Sequence, residues 1–132
     1  MLNPYEQYAQ NQVKTAPPEE LTLMLYKGAV KFVLLGVKAL DEGNFGETNR
    51  NILRAQDIYY ELLGTLDKKY AISKDLARLY DYLINLLVQA NLKKDKGLLQ
   101  DALGIAKEFV ETWEEAIKIY RRTQGSKRSE IV

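Results

Sequence analysis

The sequence contains no histidine and no cysteine. Without histidine there can be no Glu-x-x-His pairs of a di-iron bundle, no His-ligated zinc, no His-dependent catalytic triad and no phosphate-accepting His of a phosphotransfer bundle. Without cysteine there is no disulfide framework, thiolate zinc site or thiol nucleophile, a composition compatible with a reducing compartment. Charge of one sign is also lacking. Lys plus Arg number 19 against 18 for Asp plus Glu, which removes the electrostatic basis for binding nucleic acid or an acidic membrane surface. No apolar run approaches the ~20 residues of a membrane span, and MLNPYEQYAQ lacks the basic and apolar regions of a signal peptide. The expectation is a cytoplasmic chain with no membrane insertion. Strict period-two alternation, internal repeats and low-complexity blocks are absent too.

Candidate chemistry is equally sparse. Gly43 and Gly46 are not followed by Gly-Lys-Ser/Thr, so they read as a helix-opening turn rather than a phosphate loop. Glu114 and Glu115 are adjacent on a helix and point in different directions on a polar face, unlike a catalytic carboxylate pair. Arg54, Gln56 and Arg78 could line an anion pocket, but Arg78 falls on a polar stripe. No catalytic residue, cofactor or metal ligand is assigned, and an enzyme is not expected.

What is present is helical periodicity. A chain of 132 residues is one domain that buries roughly two thirds of its unfolded surface and needs no staple. Pro18 suits a first helical position with Glu19 and Glu20 in the first turn, and that helix should stop near Asp41 before Gly43. Asn44 caps the second helix, with Glu47 as its capping-box partner, and the pattern runs to about Leu66. Ser73 is expected to cap the third, which reaches about Leu92. Asp95 or Lys96 begins the fourth, which ends near Thr123 before Gly125. Helices of ~20–27 residues joined by short linkers favour antiparallel neighbours. The fold class is therefore all-α: an antiparallel up-down-up-down four-helix bundle (17–123), preceded by a capping leader (1–16) and followed by a flexible polar tail (124–132).

The four helices differ in how much apolar surface they carry. The fourth shows one stripe, Leu99, Leu103, Ala106, Val110, Trp113, Ile117 and Tyr120, and should need only its neighbours, with Trp113 in the core. The third has a core line through Leu76, Tyr80, Leu83 and Leu87 with extra apolar flanks, including Leu79, Tyr82 and Leu86. The first is apolar on almost every side. Its bundle face is read as Leu21, Leu25, Phe32, Leu35 and Ala39, which leaves a second face of Leu23, Tyr26, Val30, Val33, Leu34 and Val37 without an owner. Uncovered apolar surface marks a partner site. Leu23, Tyr26, Val30, Val33, Leu34, Val37, Tyr82 and Leu86 are therefore the candidate binding groove; coverage by the leader and loops, or self-association through the same faces, is the alternative. Gln56 is expected to make an internal hydrogen bond and Asn91 to tie a loop. Nine tyrosines against three phenylalanines suit boundary positions, because the ring is apolar and its tip polar.

Asn3-Pro4-Tyr5 with Tyr8, Thr15-Ala16 leading to Pro18, Leu21 to Ala29, Ala55-Gln56, Leu79 to Leu83, Ala90-Asn91, and Trp113 with Ala116 follow one another in the order and spacing of a known family. Over about residues 3–120 the chain closely resembles the FliS family of flagellar export chaperones. Pro17 departs from the pattern, standing where a capping Ser or Thr is usual, a loss worth roughly 0.5–2 kcal/mol. The resemblance implies a cytosolic chaperone that binds the disordered C-terminal segment of flagellin, prevents premature polymerisation and assists delivery to the gate of the flagellar type III export apparatus. It also implies a client that becomes helical on the bundle, helix-in-groove recognition coupled to folding. Tyr5 and Tyr8 in the leader are read as a lid that shields the groove and, once displaced, docks on the export gate. The competing reading is a regulatory adaptor that uses the same faces on a prefolded partner.

Overall fold

The computed structural model describes residues 16–131, with side chains to residue 125. Four helices follow one another: α1 Pro18–Asp41, α2 Phe45–Thr65, α3 Ile72–Lys93 and α4 Lys96–Ile131. No strand occurs among the described residues. Neighbours run antiparallel, α1 and α3 each lying between α2 and α4. Cross-links show the directions. The start of α1 meets the far part of α4 through Glu20 and Arg121, and the end of α1 meets the start of α4 through Asp41 and Lys96 at 2.8 Å. Asn49 near the start of α2 accepts from the Asn91 amide near the end of α3 at 2.7 Å. Asn91 thus ties two helix ends together.

The helix ends follow from local chemistry. Pro17 precedes α1 and offers no side-chain cap; its carbonyl accepts from Leu21 N at 2.9 Å. At the other end Gly43 takes φ 72°, a left-handed conformation that costs a residue without Cβ little. Its N–H donates to Leu40 O and that of Asn44 to Ala39 O, the paired bonds of a Schellman turn. Asn44 then caps α2 by accepting from Glu47 N at 3.2 Å. The Glu47 carboxylate pairs with Arg50 at 2.7 Å. The α3–α4 turn repeats the device on a less suitable residue: Lys94 adopts φ 51°, and Asp95 N donates to Ala90 O. Asp95 Oδ1 caps α4 by accepting from Leu98 N at 3.0 Å.

Two expected ends differ. Ser73 is not a cap but lies inside the first turn of α3, and its hydroxyl donates back to Asp67 O. Tight bonds from Ser73 N to Tyr70 O and Lys74 N to Ala71 O have already wound the chain into helical form by then. The fourth helix does not stop before Gly125 but runs to Ile131, 36 residues in all. A glycine inside a helix costs roughly 1 kcal/mol and ends it only where the backbone turns left-handed. Positive φ occurs at Gly43 and Lys94 and at no other described residue.

The seam of α1 is the stripe Tyr26, Ala29, Val33, Gly36 and Ala39. These face Ile52, Ala55, Tyr59 and Leu62 of α2, Tyr80, Leu83, Ile84 and Leu87 of α3, and Leu99, Ala102 and Ala106 of α4, forming one core. Small residues draw the helices close. A Cβ on Gly36 would stand 3.3 Å from Ile52 Cγ1 and 3.7 Å from Leu99 Cδ2. The two remaining flanks of α1 become its sides: Gly28 and Phe32 turn toward α2, where they meet Ile58 and Arg54, and Lys27 turns toward Glu114 of α4.

Candidate functional site

The seam decides the fate of the expected groove. Val33 (0% exposed) is enclosed in the core and presents nothing to a partner without unpacking of the bundle, whereas Tyr26 (2%) is buried but lies in the floor of the groove described below. The expectation of an open surface is corrected for Val33. Both residues lie midway between the two faces read from the sequence, opposite the Lys27, Lys31 and Lys38 stripe. Packing selected the stripe containing Ala29 and Gly36 because close helix approach needs small side chains. Val30 and Val37 are half-buried against the core, and Leu23 is half-buried. Leu34 is open, at 44%. On α3, Tyr82 is 57% exposed and Leu86 half-buried against the core. The eight residues do not form one groove. By helical register Leu23, Val30, Leu34 and Val37 line the α4 side of α1, whereas Tyr82 and Leu86 line the α4 side of α3. Tyr5 and Tyr8 lie outside the described residues.

A better-formed groove runs between α3 and α4 near one end of the bundle. Ile72, Leu76 and Leu79 form one wall, and Ile105, Phe109, Trp113 and Ala116 the other, enclosing about 340 Å3. Ile72 and Leu79 are exposed, and Ile119 extends the apolar surface along α4. The floor is aromatic. Tyr26 meets Trp113 edge-on at 6.0 Å and Phe109 at 5.3 Å between ring centroids, and Phe109 lies 5.5 Å from Tyr80. Most of this wall escaped the sequence reading. A second stripe on α4, Ile105, Phe109, Thr112, Ala116 and Ile119, recurs every three or four residues beside the core stripe, so α4 exposes more than its neighbours cover. Trp113 was expected in the core and is instead half-buried, one face on the core and one edge on the groove. Its Nε1 donates to Glu19 O at 2.8 Å, a polar bond that keeps a large ring at a boundary.

Beneath the groove three buried tyrosines meet. Tyr26 Oη and Tyr80 Oη share a hydrogen bond at 2.5 Å, while Tyr59 Oη is buried and has no partner. Burial pushes all three phenols above their ordinary range; the neighbouring tyrosines add to the rise at Tyr59 and Tyr80, while the Tyr80 hydroxyl moderates it at Tyr26. The site beside them is mostly apolar, with Glu108 its one charged lining residue. Among the described residues there is no cluster of three or more metal-ligating side chains, and no helix is long and apolar enough to cross a membrane. What the groove can do is bury apolar side chains.

The chain is similar to known proteins along nearly its whole length. A family model described as "Flagellar protein FliS" matches residues 1–120. The flagellar secretion chaperone FliS of Bacillus subtilis (strain 168) is 42% identical over 120 residues, covering 91% of this chain and 90% of the relative. That of Vibrio cholerae serotype O1 is 31% identical over 107 residues, covering 80% and 79%. The Campylobacter jejuni protein of the same name is 30% identical over 113 residues, covering 84% and 88%.

Proposed function

Because the chain belongs to the FliS family and is therefore an export chaperone of flagellar secretion rather than an enzyme, we propose that its client is the disordered C-terminal segment of flagellin, folded into helices on the apolar sides of α4. The observation that carries this reading is the open groove of Ile72, Leu76, Leu79, Ile105, Phe109 and Trp113. It has the shape and apolar lining that an amphipathic helix requires. The exposed ring of Tyr82 and the side chain of Leu86 extend it along α3, and Leu23, Val30, Leu34 and Val37 offer a second docking strip on the other side of α4. Ordering a disordered segment costs several kcal/mol, so the interface must be large. Burying on the order of 1,000 Å2 of apolar surface at ~25 cal/mol per Å2 supplies ~25 kcal/mol before association and ordering costs.

A client covered in this way cannot polymerise, since the apolar side chains that would join neighbouring subunits are occupied. The protein acts in the cytoplasm, before the client enters the export channel. We propose further that Tyr5 and Tyr8 of the leader serve docking on the export gate once the client is bound. Isothermal titration with a C-terminal flagellin peptide tests the central claim. Saturable one-to-one binding with a negative heat-capacity change is the expected result, and no heat at micromolar concentrations refutes it.

A further inference from the structure

The groove between α3 and α4 has two unlike edges. On α4, Asp101, Glu108 and Glu115 stand seven residues apart, which places carboxylates about 10.5 Å from one another along the same side of the helix. Glu108 lines the groove itself, and Glu115 lies on the adjoining surface with Thr112, Ala116 and Ile119. All three acids are exposed. Asp101 and Glu108 have no ion-pair partner among the described residues, and Glu115 reaches Arg122 only at 3.9 Å with both side chains largely in water. The corresponding positions on α3 are Asp75, Tyr82 and Gln89, again seven apart, so that edge carries one acid, one aromatic ring and one amide. The chain as a whole is close to neutral, and the acidic edge is a local feature of one side of one groove.

Carboxylates only accept hydrogen bonds, and a helix seated between these edges brings its own side chains within reach of both. We infer that the occupant is an amphipathic helix whose α4-facing edge bears donor side chains, Lys, Arg, Asn or Gln, at about seven-residue spacing and no Asp or Glu. Its opposite edge, against Tyr82, is apolar or neutral. The asymmetry fixes the rotation of the client about its own axis, which the apolar floor alone leaves loose. It also rejects segments that are apolar enough but acidic on that side, since like charges across an interface cost affinity. This rests on the reading that the groove holds a client helix.

The test uses the full chain and the C-terminal flagellin peptide, with affinity measured by titration calorimetry at about 0.05 M and about 0.5 M salt, a range over which screening shortens from roughly 14 to roughly 4 Å. Glu108→Lys and Asp101→Lys should each weaken binding about fivefold to tenfold at low salt, with the difference from the parent shrinking at high salt. Leu79→Asp, an exposed position on the groove wall, is the control for the groove. If Leu79→Asp abolishes binding while the two lysine variants bind as well as the parent or better, the donor edge is refuted and the groove stands. If Leu79→Asp binds like the parent, the helix lies elsewhere and both readings fall.

Discussion

Tyr26 and Tyr80, 54 residues apart on diagonally opposed helices, share the hydrogen bond at the centre of the bundle. Each hydroxyl is the means by which the other tolerates burial, because a buried polar atom without a partner costs its full desolvation penalty. Tyr80→Phe should therefore destabilise the protein by about 1–3 kcal/mol, as it orphans the Tyr26 hydroxyl, whereas the double variant Tyr26→Phe with Tyr80→Phe should recover most of the loss. Tyr59 has no partner to lose. Tyr59→Phe should be neutral or stabilising by up to about 1 kcal/mol, with all these variants compared by urea titration. A loss equal to that of Tyr80→Phe would show that Tyr59 is hydrogen-bonded in solution.

Fold and binding separate on neighbouring residues of α1. Val33→Asp should abolish the cooperative helical melt, since a carboxylate at a fully buried site costs several kcal/mol. Leu34→Asp, one residue on and 44% exposed, should keep the parent's melting temperature to within a few degrees. If Leu34→Asp also weakens flagellin binding, the second docking strip is supported; parent-like affinity removes Leu34 from it.

Trp113 is the only tryptophan and stands between core and groove, so its fluorescence reports on the site without a label. Addition of flagellin peptide should shift its emission to the blue as the open edge loses water. An emission maximum indifferent to saturating client would place the client away from α3 and α4. Trp113→Phe removes the bond to Glu19 O and should cost about 1–2 kcal/mol through that bond and the lost ring volume.

Alkaline stability follows from the three phenols. Burial raises each above the ordinary value of 10.0, so between about pH 10 and the folded-state values the unfolded chain loses protons that the folded chain keeps. The stability they confer is complete below pH 10 and declines as pH rises through that window, by up to ~1.4 kcal/mol per pH unit for each tyrosine. Thermal melts from pH 8 to 11.5 should fall steeply only above pH 10. In the variant with Tyr26→Phe and Tyr80→Phe the fall should be shallower, and an unchanged slope would assign it to other groups.

Much of the architecture was legible in the residues. Helix starts at Pro18 and Asn44, the stop before Gly43 and the start of α4 at Asp95 or Lys96 are local events, decided by φ preferences and hydrogen bonds within a few residues, and each occurs as read. The absence of histidine and cysteine likewise settled which chemistries the chain cannot perform. The overrun of α4 past Gly125 shows the limit even here, since a glycine permits a stop without requiring one.

Which apolar stripe of α1 turns inward was decided only by tertiary packing. Apolarity ranked the large aliphatic flanks first, yet the seam took Tyr26, Ala29, Val33 and Gly36, because two helices can approach within contact of Ile52 and Leu99 only where one of them has no bulk. The same rule moved Trp113 outward to the groove edge, where its ring could pack on Tyr26 while its N–H reached Glu19 O. Periodicity records how many apolar stripes a helix has. Shape complementarity between helices chooses the one that is buried, and by that choice leaves the others as the surface on which a partner can fold.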